Sequence, residues 1–86
     1  MAITKELVER VVATAIAHDK ARAEMFGEEY KGSAVSMRSR QQVKEVADVC
    51  GTQIVRKQYE SIAAYDTYVD GVLFFFTEVF APKEDF

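Results

Sequence analysis

Apolar side chains recur every three or four positions through most of this chain. Leu7, Val8, Val11, Val12, Ala15 and Ile16 fall on one stripe of a helix with about 3.6 residues per turn. Thr4 stands where a hydroxyl can accept an orphan backbone N–H, and Glu6 follows in the first turn, where the helix dipole favours a carboxylate. Lys5/Glu9, Glu6/Arg10 and Lys20/Glu24 are opposite charges four apart, and Gly27 suits a helix end. The pattern predicts a first helix capped by Thr4 and reaching about Phe26, then a loop from Gly27 to Gly32.

Ser33 offers a second N-cap, and Val35, Val43, Val46, Ala47, Cys50, Ile54 and Ile62 hold helical spacing behind it. Lys44/Asp48 and Arg56/Glu60 would be surface pairs on that helix. Unbroken from Ala34 to Ala64, it would be roughly 45 Å long at 1.5 Å per residue. A compact chain of this length has a radius of gyration of about 12 Å, so such a rod needs a partner. The other arrangement breaks at Gly51, with Thr52 capping the next helix.

Ile62, Tyr65, Val69, Val72, Leu73, Phe76, Val79 and Phe80 again step by three and four, with Asp66 as a cap. Val72 to Phe76 is also rich in strand formers, but no convincing second strand offers itself, so a third helix is the expectation. The expected fold is all-α: a small helical hairpin or three-helix bundle with a long central helix, one helical domain over 1–81, completed by oligomerisation. Pro82 stops the last helix and leaves 82–86 as a loose polar tail.

Composition narrows the classes. With 86 residues, 49% of them hydrophobic, and only four Gly and one Pro, the chain is one small globular domain rather than a disordered or collagenous one. Its net charge of -3 argues against bulk attraction to nucleic acid, which needs clustered Lys and Arg. The middle third is basic and both ends are acidic, an arrangement that complements itself in a hairpin or across a dimer. Cys50 stands alone, so no intrachain disulfide forms; with no secretory signal at the start, a cytoplasmic location is expected. The run Val72 to Phe76 is far short of the roughly 20 residues of a membrane span.

Candidate chemistry is sparse. His18 and Cys50 are the sole residues of their kinds, and no CxxC or HExxH spacing is present. Asp66 and Asp70 lie one helical turn apart without further ligands, which reads as a solvated acidic face. No catalytic residue, metal or cofactor is expected. The most specific local signal runs from Lys31 to Lys44. There Ser33 and Ser36 bring hydroxyls, and Arg38, Arg40 and Lys44 bring positive charge, to the start of the second helix. That set suits an anion or an acidic partner, although neither GxxxxGK[ST] nor GxGxxG occurs.

Ten aromatics exceed what so short a chain can cover, so Tyr65, Tyr68, Phe74, Phe75, Phe76 and Phe80 are expected at an interface. The sequence reads as a non-enzymatic small regulator, inhibitor or adaptor acting by protein–protein interaction through aromatic and arginine-bearing helical surfaces. Its expected partners are itself, as a homodimer or higher oligomer, and a second protein. The alternative is a binder of a phosphorylated small molecule or nucleotide at the N-terminus of the second helix.

Overall fold

Thr4 caps the first helix as its position suggests: its hydroxyl oxygen accepts the Leu7 N–H at 3.2 Å. The computed structural model describes residues 2–79, and in it α1 spans Lys5–Phe26 and stops at Gly27. Val8 and Val12 are its buried residues; Leu7 and Val11, on the flank of the same stripe, stay partly exposed.

Beyond Gly27 the chain is not helical in the expected way. It is an α/β fold of two helices on a four-stranded mixed sheet, which overturns the all-α bundle and its long central helix. The elements after α1 are β1 (Ala34–Ser36), α2 (Arg40–Cys50), β2 (Val55–Gln58), β3 (Ile62–Val69) and β4 (Val72–Val79).

Ser39, not Ser33, caps the second helix. Its hydroxyl accepts the Gln42 N–H at 3.2 Å, while the Gln42 carboxamide oxygen reaches back to the Arg38 N–H at 2.8 Å. This is a variant of the capping box, with the carboxamide reaching the N–H one residue before the cap, and it starts α2 several residues later than the apolar stripe suggests. Gly51 ends α2 with φ at 67°, a left-handed backbone that glycine adopts without a side-chain penalty. The break at Gly51 is real, but the chain continues into β2 rather than into another helix.

The third stripe is a β-hairpin. β3 and β4 pair antiparallel from Ile62↔Val79 to Val69↔Val72, joined by Asp70 and Gly71 alone. Both turn residues have positive φ, 51° and 83°, as the two-residue turn that matches strand twist requires. β2 pairs antiparallel with β3, placing Arg56 opposite Tyr65. β1 pairs parallel with β4, placing Val35 opposite Phe74 and Ser36 opposite Phe75. The sheet order is β1-β4-β3-β2.

Strand alternation then sorts the side chains. Val69, Val72 and Phe74 meet Val8, Val12 and Val46 of the helices in one buried cluster, and Ala63 and Tyr65 meet Val43 in another. Ile62, Ala64, Asp66 and Tyr68 of β3, with Leu73, Phe75, Thr77 and Val79 of β4, point the opposite way. Both helices pack on the first face, and no described element lies over the second. The polar tail at 82–86 falls outside the described residues.

Candidate functional site

The residues expected to gather at a helix start are dispersed by the strand that replaces it. Ser33 is buried; its hydroxyl donates to the Ala15 carbonyl at 3.3 Å and lies 3.1 Å from the Tyr30 hydroxyl, pinning the connecting loop to α1. Ser36 belongs to β1 and sits beside Phe75 on the uncovered face. Arg38 precedes the Ser39 cap, and Lys44 donates to Asp48 at 2.9 Å, a hydrogen bond that raises the lysine above its usual range. Of the five, Arg40 alone enters a larger cluster.

That cluster is built on Tyr65. The Tyr65 hydroxyl accepts Arg40 Nη1 at 3.3 Å from α2 and Arg56 Nε at 3.4 Å from β2, and donates to Glu78 Oε1 at 3.3 Å on β4. Both guanidinium groups also stand over its ring, at 5.9 and 5.7 Å from the centroid, where the negative face of the ring attracts them. Hydrogen bonds from Arg56, then Arg40, hold the phenol below its usual pKa, because they favour the phenolate. The same bond to Tyr65, with the charge of Glu78 3.9 Å away, raises Arg40. Arg56 had no local signal in the sequence, since it reaches Tyr65 only through the β2–β3 register.

The aromatics expected at an interface divide between the faces. Phe74 is 2% exposed in the core, Tyr65 is buried, and Phe76 packs beside it; Tyr68 and Phe75 lie on the uncovered face. Phe80 falls outside the described residues.

The uncovered face is arranged in four ranks across β3 and β4: Ile62/Val79, Ala64/Thr77, Asp66/Phe75 and Tyr68/Leu73. β2 adds Lys57 beside Ala64 and Val55 beside Asp66, and β1 adds Ser36 and Ala34 beside Phe75 and Leu73. Tyr68 is 58% exposed and Val79 72%. Five of the eight outward positions on the hairpin are large and apolar, whereas a sheet with one wet face alternates apolar inside with polar outside.

A second concave surface runs between α1 and the free edge of β1. It is an open groove of about 570 Å³ lined chiefly by Leu7, Val11, Ala15, His18 and Ala34. At its rim His18 Nδ1 lies 2.9 Å from Asp19 Oδ1, and that hydrogen bond lowers the Asp19 carboxyl below its usual value.

Burial raises the half-buried Cys50 thiol, which disfavours the nucleophilic thiolate. Among the described residues, no group of three or more His, Cys, Asp or Glu converges as metal ligands, and no helix is long and apolar enough to cross a membrane.

Comparison with protein-family models, curated proteins and solved structures finds no match for this chain.

Proposed function

We propose that this protein is non-enzymatic and works by docking on protein surfaces, as a small regulator, inhibitor or adaptor. The observation that carries this reading is the uncovered sheet face. A two-layer domain buries one face of its sheet under helices and keeps the other wet, so an outward face bearing Ile62, Tyr68, Leu73, Phe75 and Val79 is matched to a protein partner rather than to water. Aromatic side chains at the centre of such a face supply most of the binding free energy when a partner excludes water from them.

The test is a comparison of wild type with Phe75→Lys, checked for folding by circular dichroism, as baits under identical conditions. A protein bound by wild type and lost with Phe75→Lys supports docking through this face. Identical binding profiles for the two baits contradict it.

A second reading is favoured by one specific feature, the convergence of Arg40 and Arg56 on the Tyr65 hydroxyl. Two guanidinium groups with a single carboxylate, Glu78, leave donors for an oxyanion, the chemistry of a phosphorylated ligand. Titration with inorganic phosphate, followed by the Tyr65 ring resonances, tests it: saturable shifts abolished in Arg56→Ala support the reading, and unchanged spectra reject it.

A further inference from the structure

We infer that the occupant of the uncovered sheet face is a second copy of this chain, stacked face to face about a two-fold axis that runs across the strands. The inference rests on the docking reading above and names its partner. Charge is the first argument. At the paired strand positions the face carries one acid, Asp66, and one base, Lys57, on a chain whose net charge is -3. A face that is neutral while the molecule is acidic meets a copy of itself without net repulsion, and a two-fold interface requires such self-complementarity.

Register is the second argument. An axis passing between the Asp66/Phe75 rank and the Ala64/Thr77 rank exchanges the two ends of the hairpin. Tyr68 and Leu73 of one copy then cover Ile62 and Val79 of the other, so the apolar ranks at the two ends meet each other. The same axis places Asp66 over Ala64 of the second copy, whose neighbour across the strands is Lys57. Each copy's acid therefore lies beside the other copy's base, and the pair forms twice. Strands related in this way stay aligned, which is one of the two arrangements in which sheets stack.

Size sets the strength. β3 and β4 are eight residues long, and at about 3.4 Å per residue and 4.8 Å between strands the four-stranded face has a flat footprint on the order of 400 Å² per copy. Projecting side chains enlarge this, bringing the dimer to the small end of specific interfaces, where association is reversible and follows concentration.

Sedimentation equilibrium over a range of protein concentrations tests the inference with four proteins: wild type, Asp66→Lys, Lys57→Asp and the double variant. Wild type is expected to rise from 9.7 kDa toward twice that mass. Each single variant sets like charges against each other in both symmetry-related places and should weaken association more than about tenfold. The double variant restores opposite charges and should recover most of it, a rescue that a folding defect would not produce. A wild type that stays monomeric, or single variants that associate as it does, would overturn the second copy as occupant.

Thiol labelling separates that failure from failure of the docking reading, using Thr77→Cys on a Cys50→Ala background at dilute, monomeric concentration. Labelling as fast as an unstructured thiol, with no self-association at higher concentration, leaves the face open for a foreign protein and overturns only the second copy. Slow labelling of the monomer means that the chain's own residues cover the face, and overturns both.

Discussion

Thr67 Oγ1 lies 2.5 Å from Thr52 Oγ1 and donates to the Gln53 carbonyl at 3.0 Å, so Thr52 is the donor between the two hydroxyls. Thr67 is 1% exposed, and its hydroxyl ties the middle of β3 to the segment leaving α2. Thr67→Val preserves shape but leaves a carbonyl and a hydroxyl without their partner, at a cost of about 1–3 kcal/mol. Thr67→Ser keeps the hydroxyl and should cost less. Urea denaturation of the three proteins checks the order.

Phe74 and Phe75 are adjacent in β4 and point to opposite sides of the sheet. Phe74→Ala empties the cluster formed with Val8, Val12, Val46 and Val72, at a cost of about 3–5 kcal/mol. For so small a domain that loss approaches the whole stability. Phe75→Ala removes a side chain that no helix covers and should lower the melting temperature far less. Thermal unfolding of the two variants at dilute concentration reads the contrast.

At the hairpin tip, Gly71 has φ at 83°, in a region that side chains enter only with strain. Gly71→Ala should destabilise by about 1–2 kcal/mol, the cost of a left-handed backbone for an L-residue. Asp70, at φ 51°, tolerates replacement by Asn, which adopts the same conformation readily, so Asp70→Asn should unfold at the wild-type denaturant midpoint.

The Tyr65 phenol, lowered chiefly by Arg56 and then by Arg40, titrates below the ordinary value near 10. Between the folded and unfolded values the unfolded chain still holds a proton that the folded chain has released, so this group makes stability rise with pH across that window. Phenolate absorbance should show one tyrosine ionising early. Arg56→Ala should move it upward, and Glu78→Gln, which removes an opposing negative charge, should move it further down.

Part of this fold was legible residue by residue. Thr4 and Gly27 bracket α1 because caps act through hydrogen bonds within one turn, and Gly51 marks the end of α2 for the same reason. The hairpin was hidden by the feature that makes the protein interesting. With apolar residues on both faces of β3 and β4, period-two alternation dissolves, and Ile62, Tyr65, Val69, Val72 and Phe76 fit a helical stripe equally well.

Asp70-Gly71 between two strand-forming runs was the available local signal for a hairpin, and Ser39-x-x-Gln42 was the available signal for the second cap. β1, three residues pairing in parallel with β4 across nearly half the chain, carries no comparable mark. Consequently Ser33 and Ser36 left the expected anion site, while Arg56 joined Arg40 at Tyr65 through a register that only the assembled sheet reveals.

Pairing of two copies through the uncovered sheet face is read by the molar mass of wild type and Phe75→Lys, measured by light scattering on a sizing column across the same concentrations. Wild type is expected to grow heavier with concentration, while Phe75→Lys, folded by circular dichroism, stays at 9.7 kDa throughout. Equal masses for the two proteins at every concentration would contradict the claim that a second copy of this chain occupies the uncovered face of the sheet.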